Sequence, residues 1–279
     1  MKKVSIQGVR GAFHEEAAKQ FFKEGIDLMP NMTFEELVQE VETGKSDFGV
    51  VAIENTISGT INQNLDLIAN HNVHICGEQK LRIIQNLGVL PGARIEDLKE
   101  VRSHYMAINQ CRSFLSQYPY IKIVDEEDTA LSARRIAEQQ LKDVGAIGSI
   151  EAMEYYGLEV LASGIETNKQ NFTRFYVITK GQSNISEVDT KFTIKLILNH
   201  DVGCLANLLT GFKEIEASLC KIESAPIVGK PWQYLFFIEV DVVSNNHAQN
   251  LIRLLESSTS EFKILGHYAP AKIHTHAAV

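Results

Sequence analysis

Phe48-Gly49-Val50-Val51-Ala52-Ile53 runs straight into Glu54-Asn55-Thr56, with Gly59 three residues on. An apolar run without a polar break reads as a strand buried on both faces, the mark of a parallel sheet covered by helices. In open α/β sheets ligands bind beyond the carboxyl ends of the strands. A polar triplet at that point, with a glycine permitting close approach, is therefore a candidate binding site. The competing reading is a capped turn ahead of a helix over 61–69.

The flanking segments repeat the βα pattern. Upstream, 4–7 reads as a strand and Gly8-Val9-Arg10-Gly11 as a turn. A helix follows from Phe13, with Ala17, Ala18, Phe21 and Phe22 at helical spacing. This strand, turn and helix can aim backbone N–H groups at an anion. His14 stands near that helix start, where it either meets a ligand or is an ordinary surface histidine. Thr33 to Glu36 has capping-box spacing. Downstream, strands near 101, 121–124 and 144–147 alternate with helices over 106–116 and 129–140, the last capped by Asp128. Ser103 and Gln110 flank the first of these helices. The run Glu126-Glu127-Asp128 reads as a solvated cluster at a helix start. The pattern predicts two α/β lobes joined by crossing segments, with a cleft between them.

The chain returns through Asn171-Phe172-Thr173-Arg174-Phe175-Tyr176-Val177-Ile178, mostly alternating like a half-buried strand. Neighbours on a strand point to opposite faces. Of Thr173 and Arg174, one should face a cavity while the other braces it. After a polar linker over 181–189 the pattern changes. Strand 192–196, the helical stripe Leu205, Leu208, Leu209, Phe212 and Ile215, strands 219–223 and 234–242, a helix through Leu251 and a strand at 262–265 make a β-α-β-β-α-β, ferredoxin-like unit.

Composition excludes several classes. The 279 residues suggest two domains, and the net charge of −8 offers no global basic field for nucleic acid. No run approaches a membrane helix, and the N-terminus lacks the apolar core of a secretory signal. Four cysteines without CxxC pairing read as reduced core thiols of a cytoplasmic protein. No Cys/His cluster has metal-ligand spacing, so neither metal nor cofactor is expected. His274 and His276 read as a frayed terminus.

Four segments in order resemble the prephenate dehydratase family over nearly the whole chain. Gly8 to Ala18 is similar to its opening Gly-x-x-Gly-x-Phe segment. Ala52-Ile53-Glu54-Asn55-Thr56 with Gly59 resembles its Pro-Ile-Glu-Asn-Ser-x-x-Gly motif. Ser103-His104 through Gln110-Cys111-Arg112 resembles its Ser-His…Gln-Cys-Arg segment, and Thr173-Arg174-Phe175 its Thr-Arg-Phe signature. The C-terminal part resembles an ACT module. Gly203-Cys204-Leu205 stands for Gly-Ala-Leu and Glu223-Ser224-Ala225-Pro226 for Glu-Ser-Arg-Pro, with Ala225 in place of Arg and His200-Asp201-Val202 as an altered lead-in.

The resemblance implies a two-lobed, periplasmic-binding-protein-like catalytic domain over 1–182, its second lobe about 80–155. An ACT domain over 190–270 and a tail over 271–279 follow. It implies conversion of prephenate to phenylpyruvate, CO₂ and water without a cofactor, and inhibition by phenylalanine bound at His200, Gly203, Cys204, Leu205 and Glu223 to Pro226. It also implies a homodimer or dimer-of-dimers tetramer. No mutase-type bundle precedes residue 1, so a monofunctional enzyme is expected. Thr173, Arg174, Asn55, Ser103 and Gln110 are the expected catalytic residues, with Thr56, Phe175, Glu54 and His14 around the substrate. Arg174 would bind a carboxylate or fix Glu54, and Glu54 would be structural. Arogenate dehydration, or a non-catalytic amino-acid-sensing protein, are the alternatives.

Overall fold

The computed structural model describes residues 1–181, 189–199, 201–227, 229–230 and 233–271, apart from the side chains of 245 and 246. The segment read as a linker, His200 and the histidine-bearing tail therefore lie wholly or mostly outside the described residues.

The first lobe is built from β1 (Lys2–Gln7), α1 (Phe13–Phe22), β2 (Ile26–Asn31), α2 (Phe34–Thr43), β3 (Phe48–Asn55), β4 (Gly59–Thr60), α3 (Asn62–Asn70) and β5 (Val73–Arg82). Thr33 and Glu36 form the capping box that opens α2, and Gly44 closes it in the left-handed conformation. The second lobe follows with β6 (Asn86–Val89), β7 (Glu100–Ser103), α4 (Tyr105–Gln110), α5 (Arg112–Leu115), β8 (Lys122–Asp125), α6 (Thr129–Gln139), β9 (Val144–Gly148), α7 (Ile150–Tyr156) and β10 (Glu159–Ser163). Its five-stranded sheet runs β10-β6-β9-β7-β8 and ends beyond the expected residue 155. The single helix expected over 106–116 is broken at Cys111 into α4 and α5.

The chain recrosses to the first lobe as β11 (Phe172–Lys180). It then forms β12 (Lys191–Ile197), α8 (Cys204–Glu214), β13 (Ser218–Pro226), β14 (Tyr234–Asp241), α9 (Asn245–Ser258) and β15 (Glu261–Tyr268). That last set is the β-α-β-β-α-β unit read from the sequence. It does not stand apart. Its strands continue the first lobe's sheet in the order β13-β14-β12-β15-β5-β11-β3-β1-β2, with β4 on β3. The joint is one parallel pairing of Gly266 with Ile75. A side chain at Gly266 would lie 2.5 Å from Ile75 Cβ and 2.6 Å from its carbonyl oxygen, so only glycine lets the strands approach this closely.

Two expectations are corrected here. The apolar run of β3 is central and buried, but its sheet is mixed: β3 pairs parallel with β1 and antiparallel with β11. An antiparallel strand returning from the second lobe fills the place where a wholly parallel sheet would have put another βα unit. The cysteines are free, but Cys220 is exposed on β13 rather than in the core. Among the described residues β13 is the last strand of its sheet, with β14 alone beside it.

Apolar burial welds the two parts. Leu37, Val41, Ile53, Leu65 and Tyr176 from the first lobe share one core cluster with Ala225, Leu235, Phe237, Leu265 and Tyr268. Each fully buried large side chain there contributes about 1.5–3 kcal/mol. No helix among the described residues is long and apolar enough to cross a membrane.

Candidate active site

Between the lobes lies a cleft of about 300 Å³. The loop before α1 brings the lobes together. Gly8 and Gly11 both take positive φ, +93° and +84°, which glycine alone adopts freely. A Cβ on Gly11 would sit 2.5 Å from the Cα of Ala152 at the start of α7. Ser149, the N-cap of α7, donates to the Gly11 carbonyl at 2.6 Å. Lys19 on α1 pairs with Glu151 across the same seam at 3.0 Å. Buried Glu15 accepts from Gly11 N–H at 2.9 Å and fixes the turn from below. Gly11→Ala should therefore wedge the lobes apart. We expect a stability loss of about 2–4 kcal/mol, from left-handed strain plus overpacking, read as a lowered thermal midpoint.

The cleft floor is set by β3, β11 and the crossing segments. Asn55, the last residue of β3, faces Thr173, the second residue of β11. Its Nδ2 donates to Thr173 Oγ1 at 3.0 Å and to Asn171 Oδ1 at 2.8 Å, while its Oδ1 accepts from Ile57 and Ser58 N–H. Because Thr173 Oγ1 accepts from Asn55, the hydroxyl proton is free to point into the cavity. Gln110, at the end of α4, accepts at Oε1 from Asn171 (2.9 Å) and Gln85 (3.1 Å). No partner takes its Nε2 among the described residues, and those donors are left for the cavity.

Two buried polar atoms in this cavity have no partner among the described residues: His14 Nε2 and Gln85 Oε1. Buried polar groups are nearly always satisfied, so an orphan pair in one cleft marks a place for a polar ligand. The His14 ring is held between Phe34 (5.4 Å) and Phe175 (5.0 Å, edge-on). Burial lowers His14 to about 3, so it is neutral at any physiological pH. Phe175, 1% exposed, is part of the wall.

The second lobe contributes His104, Met106, Ala107, Glu127, Asp128 and Thr129. The N-termini of α1 and α6 both open on the cleft, through Phe13 and Thr129. Asp128 accepts from Leu131 N–H at 2.8 Å as the cap of α6. Burial raises its carboxyl above the usual range, against the lowering by backbone N–H groups of Leu131 and Ala130. Among the described residues no lysine or arginine lines the cavity. Anion recognition here rests on neutral donors and helix N-termini.

The remaining expected site residues lie elsewhere. Ser103 is fully buried and donates to the Ile147 carbonyl at 2.7 Å, tying β7 to β9 rather than facing the cleft. Thr56 donates to the Gln170 carbonyl (2.8 Å) and accepts from Phe172 N–H (3.0 Å), so it pins the entrance of β11 from outside. Arg174 turns away from the cavity, as strand alternation requires once Thr173 faces in. It donates to Glu54 at 2.6 Å, to Glu78 at 2.9 Å and twice to Glu239 at 2.6 Å. Arg174 thus fixes Glu54, and both belong to a charged crevice between the first lobe and the C-terminal unit. Burial alone would raise Glu54, but Arg174 and Lys221 outweigh it and lower its carboxyl. The sequence reading missed Gln85, His104 and Asp128 as cleft residues. Asp128 was placed correctly as a cap, but its facing the cleft depends on the docking of the lobes, which no local pattern encodes.

In the C-terminal unit, Gly203 takes φ +85° and precedes α8, whose first residues are Cys204 and Leu205. Along β13, Glu223 accepts from Thr60 Oγ1 at 2.6 Å and Ala225 is buried in the core shared with the first lobe, while Ser224 and Pro226 are exposed. The four motif residues therefore do not converge on one pocket within the chain. An arginine at 225 would have to enter that apolar core, which gives Ala225 a physical reason.

A family model described as prephenate dehydratase matches residues 4–183. Arogenate dehydratase 2 of Petunia hybrida is 34% identical over 283 residues, 95% of this chain and 71% of that one. A solved prephenate dehydratase from Arthrobacter aurescens, in complex with L-Phe, superposes with a TM-score of 0.85 at 26% identity, covering 96% of this chain and 90% of the other. GqqA, described as a quorum quenching acylase, superposes at 0.86 with 25% identity, covering 96% and 98%.

Proposed function

The chain belongs to the prephenate dehydratase family of lyases, and we propose that it converts prephenate to phenylpyruvate in phenylalanine biosynthesis. The reading rests on one observation: a cleft of substrate size holding the unpartnered His14 Nε2 and Gln85 Oε1 beside a hydroxyl donor, Thr173, and lined by no lysine or arginine among the described residues.

Prephenate carries two carboxylates and a ring hydroxyl. Its dianion plus one proton gives the phenylpyruvate anion, CO₂ and water. The ring C–C bond to the carboxylate breaks, its electron pair enters the ring, and the C–O bond breaks as the hydroxyl leaves with the proton. Aromaticity drives the step, so the protein need only orient the dianion and assist the hydroxyl. A tight ion pair on the departing carboxylate would stabilise the ground state and raise the barrier. Neutral donors such as Gln110 Nε2 avoid that. Thr173 O–H hydrogen-bonds the leaving oxygen, its orientation set by Asn55. A threonine hydroxyl is too weak an acid to give up the proton itself. Burial raises the Asp128 carboxyl within the same cavity, which makes its protonated form easier to reach there than in water.

His14 acts as a neutral hydrogen-bonding partner. His14→Phe should raise KM about fivefold with little change in kcat, the loss of one hydrogen bond. His14 also links pH to stability. Its folded-state value, about 3, lies below the 6.5 of a solvated histidine. The contribution is therefore complete above pH 6.5 and is lost as pH falls towards 3. Over that window the thermal midpoint of wild type should fall relative to that of His14→Phe, which differential scanning at pH 7 and pH 4.5 checks.

A relative named for arogenate favours a second substrate, with an ammonium where prephenate has a keto group. The acylase description of GqqA carries no such support: Thr173 Oγ1 accepts an amide N–H here, and no base takes its proton among the described residues. L-phenylalanine would bind the C-terminal ACT-type unit of a dimer-based assembly, near Gly203–Leu205 and the exposed side of β13, and inhibit by favouring a state with a poor cleft. The deciding experiment runs near neutral pH with a no-enzyme control and reads CO₂ release, common to both substrates, with phenylpyruvate from prephenate confirmed as its enolate after quenching in alkali. Prephenate and arogenate are run side by side, with and without phenylalanine. Turnover of prephenate is expected. Turnover of arogenate alone moves the assignment to that substrate, and turnover of neither overturns the dehydratase reading.

A further inference from the structure

We propose that Glu239, on β14 of the C-terminal unit, is a positioning residue for Thr173, acting through Arg174. The inference rests on the dehydratase reading for its kinetic part. Glu239 is 2% exposed, and its two oxygens grip both terminal nitrogens of the Arg174 guanidinium at 2.6 Å. Its own orientation is fixed by Tyr176 O–H, which donates to Oε1 at 2.6 Å, and by Lys191 at 2.8 Å from Oε2. Thr193 donates to Tyr176 Oη, and its hydroxyl also bonds Tyr268, so the clamp is anchored in three strands of the C-terminal unit.

The guanidinium so held ties together the two strands flanking β11. Glu54 belongs to β3 and Glu78 to β5, and both accept from Arg174. The tie falls on an irregularity. Phe175 is opposite Ala52 and Arg174 opposite Glu54, so Ile53 is one residue too many on β3. Such a bulge re-aims the side chains beside it, here Asn55 and Thr173. A one-residue slip would exchange the faces of Thr173 and Arg174 and empty the cavity of its hydroxyl. A rigid bidentate pair at this point selects the register that puts Thr173 inwards. The group that holds the reaction's hydroxyl donor in place is thus supplied by the domain outside the cleft.

The test is Glu239→Gln, which keeps shape and removes the charge. kcat on prephenate should fall about tenfold, the scale of a small misplacement, with KM within about twofold. In a Thr173→Ala background the same substitution should cost less than about twofold, since its effect passes through that hydroxyl. Amide hydrogen exchange over 171–176 should accelerate whatever the substrate is. Unchanged kcat or unchanged exchange in a folded variant overturns the proposal, as does an equal loss in both backgrounds. If Glu239→Gln does not fold, Tyr176→Phe removes one hydrogen bond from Glu239. It should give a smaller loss with the same dependence on Thr173, and no loss overturns the proposal. A wild type inactive on prephenate and arogenate sinks the dehydratase reading instead, and the exchange experiment then decides the positioning role alone.

Discussion

Thr173→Ala is expected to lower kcat on prephenate at least about a hundredfold while the protein stays folded. A preorganised donor aimed at developing charge is worth about 3 kcal/mol. Thr173 is such a donor because its oxygen is already occupied by Asn55 Nδ2, so its proton has no better use than the cavity. The substitution removes no buried apolar surface from the main cores, so stability should change by less than about 1 kcal/mol. Thr173→Ser, which keeps the hydroxyl, should retain most activity. Steady-state kinetics with thermal unfolding on the same samples checks both. Full activity in Thr173→Ala would remove the hydroxyl from the mechanism.

Arg174→Met should act mainly on the fold. It withdraws the cation that Glu54, Glu78 and Glu239 share, leaving Lys191 and Lys221 to face them. Breaking a buried ion network by removing one partner costs about 3–5 kcal/mol, because the remaining charges stay desolvated. For a chain of this size the thermal midpoint should fall by about 10 °C. The pH dependence separates this from a cavity effect. In the wild type, burial alone would raise Glu239, but Arg174 and Lys191 outweigh it and hold the carboxyl down at about 2. Its contribution is therefore present above pH 4.5 and is lost as pH falls towards 2. Without Arg174 the orphaned carboxylates take up protons more readily, so the deficit should narrow between pH 7.5 and pH 5. A deficit constant across that range would point to lost packing instead.

What the sequence made legible divides along a physical line. β3 and its polar exit, the capping box at Thr33 and the C-terminal β-α-β-β-α-β unit were readable because each is written in local periodicity. So was the expectation that Thr173 and Arg174 part to opposite faces of one strand. Which of them faces inwards, and that Arg174 would find carboxylates on three strands, depends on pairings across the sheet. Ser103 and Thr56 carry the residue types of a polar site, yet their hydroxyls are taken by backbone groups at 2.7 and 2.8 Å. Gln85 lay in an unremarkable crossing segment. Its place in the cleft is visible only once β11 returns beside it.

The joint between Gly266 and Ile75 also governs what would happen without the C-terminal unit. β5 lies between β11 and β15. Stripping residues 189–271 away would unpair Ile75 of β5 from Gly266 and uncover the core side chains Leu37, Ile53 and Tyr176. Exposed contiguous apolar patches drive association with other molecules. The C-terminal unit is therefore also a shield against self-association, and the excised two-lobed portion should aggregate where the whole chain does not.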